Sequence, residues 1–477
     1  MKRLLTYLKR HPLATLFAPL FKMLEASFEL FVPLVVAKMI DIGIYQKNAG
    51  YLWRMGALLV LLGIIGFGFA ITAQYFAAKS AVSTGRDLRN DLFAHINTLS
   101  FKEIDTLGTS TLINRMTNDV NQVQNGINMF LRLFLRSPFV VFGAMVMAFT
   151  VDAKAAIPFV IVIPALAVVV FAILLITMPL YKNVQKQLDD VLLSTRENLL
   201  GIRVVRAFNR QESEMESFGK KSSQLFFRQI HVGKISALLN PVTYVIINLG
   251  IIAILWSGGN QVYLGRLTQG QVIALINYMN SILQALIVFA NVLSIYNKAT
   301  ASYQRVFEVL ETTPQVEDQG SYSTLIPDEK MIEFKDVNFG YLQKDVLHNL
   351  SFTINKGETV GIIGGTGAGK STLVSLIGRN YDVRSGQIKI AGKNIQDYKL
   401  ETLRQHISYV LQNTSLISGT IKENICMSKP YQEETMNKAL EVSQAKEFVS
   451  CLPQGIESAV VQGGKNFSGG QRQRLTI

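Results

Sequence analysis

The sequence is poor in cysteine and in charge. It contains two cysteines, Cys426 and Cys451, and only 17% of its 477 residues are charged. Two cysteines at that spacing form neither a disulfide framework nor a cysteine metal site, and they fit a reducing cytosol. Soluble domains are typically about one quarter charged. The shortage of charge therefore argues against a wholly soluble protein.

Apolar residues make up 49% of the chain, and they gather into long segments before residue 311. Each of six segments is long enough to cross the roughly 30 Å hydrocarbon core of a bilayer as a helix. The six cover residues 13–39, 55–78, 130–151, 155–181, 235–261 and 267–296. The sequence thus predicts an all-α membrane domain with six spans.

Basic residues give the orientation of these spans. The connections after the second and fourth spans are long and rich in Lys and Arg, whereas the other connections are short. Basic loops stay on the cytoplasmic side, so both termini are predicted to be cytoplasmic. The net charge of +13 is spread over these loops and not gathered on one face or arm, which argues against nucleic-acid binding.

The cytoplasmic parts of this domain are predicted to be helical. Residues 1–10 place four basic side chains around Leu4, Leu5, Tyr7 and Leu8, as in a short amphipathic helix on the inner membrane surface. The two long connections repeat apolar residues at helical spacing, which predicts membrane helices that extend into the cytoplasm and turn back near 100–107 and 201–208. A separate, solvated helical hairpin would give a similar pattern.

Ionisable residues occur inside the first span. Lys22, Glu25 and Glu29 follow at i, i+3 and i+7, which puts them on one helical face. Charged groups at membrane depth usually serve function, so Glu25 and Glu29 are candidate substrate residues that would favour cationic amphiphiles. The alternative is a structural pair of Lys22 with Glu25 near the inner interface.

A phosphate-binding loop dominates the rest of the chain. An apolar run, 359–363, is predicted to be a buried strand, and 372–377 to be the first turns of a helix. Between them the sequence fits the pattern G-x-x-x-x-G-K-[ST], whose backbone N–H groups cradle phosphate. The loop comprises Gly364, Gly365, Thr366, Gly367, Ala368, Gly369, Lys370 and Ser371, followed by Thr372. Lys370 can reach the β- and γ-phosphates and Ser371 can ligate Mg²⁺.

Three further motifs accompany the loop. Residues 332–341 alternate like a strand and end at Tyr341, and 406–412 are predicted to be an apolar strand that ends at Gln412. A third motif, with Phe467 before it, places a hydroxyl and two glycines at a helix start, which is a second anion site. Its residues are Ser468, Gly469, Gly470 and Gln471.

The order of these motifs resembles that of ATP-binding cassette (ABC) transporters, and the whole chain is similar to a half-transporter of the exporter type. The resemblance implies an α/β P-loop nucleotide-binding domain, with ATP and Mg²⁺ as cofactors. It implies that Tyr341 stacks on adenine, that Gln412 ligates Mg²⁺ or orients water, and that residues 468–471 close over ATP held by a second half-transporter. Phe467 stands where the family signature usually has Leu.

The resemblance also sets the domain boundaries and the function. Residues 1–311 correspond to the membrane domain, 312–330 to a linker and 331–477 to the nucleotide-binding domain. The family's Asp, catalytic Glu and switch His would follow beyond Ile477, so the 477-residue chain alone is expected not to turn over ATP.

The opening stretch of the chain is similar to one subunit of a heterodimeric multidrug exporter. This resemblance implies ATP-driven export of amphiphilic small molecules across the plasma membrane by a pair of half-transporters, unlike partners being favoured over identical ones. The alternatives are a lipid or peptide exporter, a non-hydrolysing regulatory subunit that lends its signature to an active partner, and an ATP-gated channel.

Overall fold

The computed structural model describes residues 2–326, 328–341, 344–412, 414–427 and 429–477, with Lys2 described by its backbone alone. The chain divides into two compact units by its internal contacts. Unit 1 holds residues 1–98 and 107–312, and unit 2 holds residues 99–106 and 313–477. The short segment 99–106 thus groups with unit 2, although both of its chain neighbours belong to unit 1.

Unit 1 is helical throughout. Its helices are α1 (Lys2–Lys9), α2 (Pro12–Lys38), α3 (Ala49–Ile96), α5 (Thr109–Asn114), α6 (Val120–Met129), α7 (Arg136–Val151), α8 (Ile157–Leu200), α9 (Ile202–Ala207), α10 (Gln211–Ala237), α11 (Leu239–Tyr263) and α12 (Gln269–Glu311). Helix α4 (Phe101–Leu107) begins in unit 2. Three π-helical turns, Met39–Ile44, Arg115–Asp119 and Phe130–Phe134, adjoin these helices, so that 109–151 is helical almost without a break.

Five helical stretches of the described chain are long and apolar enough to cross a membrane, one fewer than the six predicted. The exception is α2, which forms a 27-residue helix over the first predicted span. It differs from the other five because Lys22, Glu25 and Glu29 interrupt its apolar surface. The prediction of a long helix there was correct, but its composition alone does not mark it as a span.

The long helices exceed the thickness of a bilayer core, which agrees with the prediction that they continue beyond the membrane. Helix α3 has 48 residues, or about 72 Å at 1.5 Å per residue, more than twice the roughly 30 Å hydrocarbon core. Short helices stand at both predicted turns: α4 follows α3, and α9 follows α8.

Helix α12 lies at the centre of unit 1. Tyr278 is fully buried, and its hydroxyl donates a hydrogen bond of 2.7 Å to the carbonyl of Leu30 in α2. At its start, the backbone N–H of Gly270 donates to Asp41 at 2.8 Å. A Cβ on Gly270 would lie 2.2 Å from the carbonyl oxygen of Ala37, so only glycine fits this approach. These contacts fix the first turns of α12 against the second half of α2 and the π-helical turn that follows it.

Unit 2 combines two small sheets with short helices. Its strands are β1 (Lys330–Phe339), β2 (Leu347–Asn355), β3 (Ser385–Ile390), β4 (Lys393–Asn394), β5 (Gly419–Thr420) and β6 (Ala459–Val460). Its helices are α13 (Lys370–Ile377), α14 (Leu400–His406), α15 (Ile421–Cys426), α16 (Glu433–Val442), α17 (Lys446–Ser450) and α18 (Gly469–Leu475). The larger sheet has the order β2-β1-β3-β4 with antiparallel pairs, and β5 pairs with β6.

Two hydrophobic clusters support unit 2. The first covers one side of the larger sheet, where the rings of Phe334 and Phe352 stack at 4.5 Å and Leu376 of α13 is fully buried. The second joins α15 to α18 and includes Ile421 and Phe467. The predicted strand at 332–341 is confirmed as β1, with Tyr341 just beyond its end.

Two predicted strands of unit 2 were wrong. Residues 359–363 form no strand and are exposed, with Ile363 at 98%. Residues 407–412 likewise form no strand, and His406 ends helix α14. An apolar run becomes a buried strand only when other strands pair with it, and no described segment pairs with either run. Both runs are apolar, but neither forms the strand that was predicted.

Candidate nucleotide site

The loop before α13 has the backbone of a phosphate cradle. Gly367 and Gly369 adopt φ of 85° and 87°, a region that favours glycine, and Gly369 caps the N-terminus of α13. A Cβ on Gly369 would lie 2.7 Å from a methyl carbon of Leu347, which adds a steric reason for glycine. The loop therefore curls as the motif requires and leads directly into a helix N-terminus.

Lys370 lies inside this curl. Its ammonium donates hydrogen bonds of 2.8 Å to the carbonyls of Gly364 and of Gly365. An ammonium has three N–H donors, so one remains for an anion. The two carbonyls hold the positive charge over the loop, where a phosphate would meet both it and the positive end of the helix dipole.

Tyr341 reaches the same helix from the end of β1. Its hydroxyl donates a hydrogen bond of 3.1 Å to Thr372 Oγ1 in the first turn of α13. The ring is 40% exposed and stands edge-on to Phe339, with centroids 5.1 Å apart. The structure thus brings together Tyr341, Lys370 and Thr372, and the Tyr341 side chain stays partly exposed.

The candidate Mg²⁺ ligands are available but not held in place. Ser371 is exposed in the first turn of α13, and Gln412 is exposed in the irregular segment after α14. A hydroxyl oxygen and an amide oxygen are hard donors that suit Mg²⁺. Because Mg²⁺ at such sites takes further ligands from phosphate and water, the two residues fit the ion in their chemistry.

The signature motif caps helix α18. Ser468 Oγ accepts from the N–H of Gln471 at 3.3 Å, and the Gln471 side chain accepts from the N–H of Ser468 at 2.9 Å. Ser468, Gly469 and Gly470 are exposed, whereas Phe467 is only 8% exposed and packs against Phe448. The departure from Leu at position 467 therefore falls on a core position and leaves the exposed part of the motif unchanged.

Both candidate substrate carboxylates have cationic partners. Glu25 accepts from Lys22 at 2.5 Å, and Glu29 accepts from Arg136 of α7 at 2.5 Å. The four side chains of these two pairs therefore carry no net charge. The side chain of Glu29 is 50% exposed, against 18% for Glu25, which leaves Glu29 as the more accessible of the two.

Sequence reasoning missed two residues that follow α13. The hydroxyl of Tyr381 donates a hydrogen bond of 2.6 Å to Asp105 in α4, and its ring stands edge-on to Tyr341 at 5.2 Å. Arg379 is 5% exposed and donates to Asp382 at 2.9 Å and to the carbonyl of Glu317 at 3.1 Å. Arg379 and Asp382 lie outside any helix, so their spacing did not predict the pair, and no local pattern links Tyr381 to Asp105.

Two family descriptions match the chain. The ABC transporter transmembrane region matches residues 15–286, and the ABC transporter domain matches residues 347–477. The chain belongs to the ABC transporter family. It is an exporter-type half-transporter, with a helical transmembrane region followed by a nucleotide-binding domain.

Several relatives of this ABC transporter cover its whole length or nearly so. The ABC transporter ATP-binding protein YfiB of Bacillus subtilis (strain 168) is 36% identical over 100% of this chain and 83% of its own. The ATP-dependent lipid A-core flippase of Desulfotalea psychrophila is 30% identical over 93% and 78%. The putative multidrug export ATP-binding/permease protein YgaD of B. subtilis is 29% identical over 100% and 84%.

A solved structure shares the exporter fold. A bacterial Atm1-family ABC exporter with ATP bound superposes with a TM-score of 0.78 at 21% sequence identity, and the match covers 97% of this chain and 82% of that one. The ABC transporter domain implies that this chain binds ATP and works as a membrane-bound transport ATPase.

Proposed function

We propose that this ABC half-transporter exports amphiphilic small molecules, as multidrug exporters do, across the plasma membrane. Residues 1–311 form its membrane domain, 312–330 its linker and 331–477 its nucleotide-binding domain. The observation that carries the proposal is that Lys370 and Tyr341 meet at the start of α13, where Lys370 donates to the exposed loop and Tyr341 donates to Thr372. Helices of unit 1 long enough to pass the bilayer supply the transport path.

Each residue of the site takes a role from its position. The loop N–H groups of residues 364–369 and the third ammonium proton of Lys370 bind the β- and γ-phosphates. The exposed part of the Tyr341 ring stacks on adenine. The oxygens of Ser371 and Gln412 would hold Mg²⁺, which would neutralise phosphate charge.

Function requires a second half-transporter, and we propose that an unlike one is preferred. Ser468, Gly469 and Gly470 of the signature are exposed at the N-terminus of α18, where they are free to meet ATP held by another chain. Helix α18 has its own hydrophobic cluster, separate from the one around α13. An exposed anion site on a helix that packs in a different cluster from α13 supports use in trans. Both termini are cytoplasmic in this proposal, because the basic connections are.

Segment 99–106 couples the nucleotide site to the membrane helices. Within unit 2, the segment is held by the hydrogen bond between Asp105 and Tyr381, and Phe101 packs near the same tyrosine ring at 6.2 Å. It also continues through the backbone into α3 on one side and into α5 on the other. A shift of Tyr381 caused by nucleotide at Tyr341 would therefore pull on both helices.

Export of lipid is the second candidate. It is favoured by the flippase of D. psychrophila, which is 30% identical over most of this chain. A second reason is the net-neutral set of charges in the membrane domain, which fits a zwitterionic headgroup as well as it fits a cation. The set comprises Lys22, Glu25, Glu29 and Arg136. A non-hydrolysing subunit that lends its signature motif to an active partner is the third candidate.

The deciding experiment is transport into sealed inside-out vesicles that contain the transporter assembled with its partner half. ATP-dependent uptake of cationic dyes, together with ATPase activity stimulated by the same dyes, is the expected result. ATPase activity that is stimulated by phospholipid, without any dye uptake, would contradict the proposal and favour lipid export. If both activities are absent while ATP binding is retained, the result would indicate a regulatory subunit.

A further inference from the structure

We propose that the cytoplasmic end of the membrane domain carries a binding site for one acyl chain of an anionic phospholipid from the inner leaflet. The site is an apolar cavity of about 150 Å³ between α1, α6 and α12. Leu4, Leu5 and Leu8 of α1 form one wall. An apolar cavity of about this size stays dry and takes up a benzene-sized molecule, so it accommodates a short stretch of an alkyl chain.

The depth of the cavity matches the edge of the bilayer. It is lined by Phe130, the first residue of one predicted span, and by Tyr296, the last residue of another. Their rings are 6.1 Å apart, and aromatic residues concentrate at this boundary in membrane proteins. An acyl chain could thus enter the cavity while its headgroup stays at the membrane surface.

Polar contacts keep α1 from collapsing into the cavity. Tyr7 donates a hydrogen bond of 2.8 Å to Asp91 of α3, and Arg3 pairs with Glu311 of α12 at 2.8 Å. The opposite wall is equally fixed, because a Cβ on Gly126 would lie 2.2 Å from the Cβ of Ala299. Helix α1 is thus held by polar contacts outside the cavity, and α6 and α12 are held by their own close approach, so no occupant is needed to keep the walls in place.

The entrance carries the charge that selects the lipid. Leu5 lines the cavity and is 56% exposed, which marks the open side. Lys9 lies one turn after Leu5, is exposed, and has no ion-pair partner among the described residues. A basic residue near the membrane surface favours anionic over zwitterionic lipid by about fivefold. The chemistry of the site is therefore apolar inside and cationic at the rim.

A tryptophan reporter tests the site in the full chain, reconstituted with its partner in nanodiscs. The chain has two tryptophans, Trp53 and Trp256, both more than 80% exposed, and each is replaced by Phe. Leu5→Trp then reports the cavity rim, and Leu61→Trp, at a 52% exposed position of α3, reports bulk lipid. Quenching by phosphatidylglycerol brominated on its acyl chains is compared with quenching by brominated phosphatidylcholine.

We expect phosphatidylglycerol to quench Leu5→Trp as if enriched about fivefold over its bulk fraction, with no enrichment at Leu61→Trp. Thr300→Phe, which fills the cavity, and Lys9→Gln, which removes the exposed charge, should each abolish the enrichment. Equal quenching at both reporters, or enrichment that survives both variants, would overturn the proposal. Lys9→Gln changes an exposed residue, so it remains informative if Thr300→Phe fails to fold.

Discussion

The hydroxyl of Tyr381 donates a hydrogen bond to a carboxylate oxygen of Asp105 across 2.6 Å, although the two residues are 276 positions apart in sequence. Burial, and then the hydrogen bond to Asp105, raise the pKa of Tyr381 well above that of a free tyrosine. The neutral hydroxyl is the donor, so the bond persists below this raised pKa and is lost only as pH rises through it. The contact is thus constant across physiological pH.

Tyr381→Phe removes this hydrogen bond and keeps the ring. A hydrogen bond to a charged group contributes about 1.5–3 kcal/mol, and the partial exposure of Tyr381 places it at the lower end. We expect substrate-stimulated ATPase activity to fall several-fold while ATP affinity stays within about twofold. Tyr409→Phe is the matched control, because it loses a hydrogen bond to Val374 within unit 2 and none to α4. Equal losses in both variants would argue against coupling through Asp105.

Tyr341 supplies the aromatic face in the proposed adenine site. Stacking of a base on an aromatic ring contributes about 1–3 kcal/mol, so Tyr341→Leu should weaken ATP binding by about 5- to 150-fold. Tyr341→Phe should bind nearly normally, since it loses only the hydrogen bond to Thr372. Isothermal titration with ATP and with inorganic triphosphate, which has no base, checks this. A similar loss for triphosphate would mean that Tyr341 shapes the loop and does not contact adenine.

Phe467 fills the core beneath the signature motif. It is 8% exposed, so Phe467→Ala should destabilise the nucleotide-binding unit by about 3–5 kcal/mol and lower its melting temperature. Phe467→Leu, which restores the usual family residue, should cost only about 1 kcal/mol and leave ATPase activity intact. Val442→Ala, at a 70% exposed position of α16, is the control for thermal unfolding. Loss of activity in a stable Phe467→Leu variant would show that the ring has a role beyond packing.

Glu29 is the accessible carboxylate of the first membrane helix. We expect Glu29→Gln to slow ATP-dependent transport of cationic dyes by about fivefold, which corresponds to about 1 kcal/mol, and to leave a neutral dye unaffected. Glu216→Gln breaks an exposed pair with Lys220 elsewhere in unit 1 and should change neither rate. If Glu29→Gln slows both dyes and Arg136→Gln does the same, the ion pair with Arg136 is structural only.

Local patterns predicted the parts of the fold that depend on local forces. Helical periodicity and turn residues located the long helices, the turns at α4 and α9, and the strand β1. The glycines and Lys370 located the phosphate loop. The predicted strands at 359–363 and 407–412 were wrong. Both runs are apolar enough for buried strands, but a strand also needs neighbouring strands, which an isolated run does not specify.

Long-range contacts at the site could not be predicted from the sequence either. Nothing near Asp105 in the sequence marks it as a partner of Tyr381, and nothing near Glu29 points to Arg136, which is 107 positions away. Such pairs depend on how whole helices and sheets come together. The i, i+3 pair of Lys22 and Glu25 was predictable because a single helix fixes it.

The exposed apolar run before the phosphate loop has a practical consequence. Val360, Ile362 and Ile363 are 49%, 43% and 98% exposed, and no described strand pairs with them. Unpaired apolar backbone of this kind offers an edge for other chains and a target for chaperones. A preparation of residues 313–477 by itself should therefore self-associate and bind hydrophobic dyes. Nucleotide titrations on such a fragment would report a mixture of aggregated species unless another segment paired with these residues.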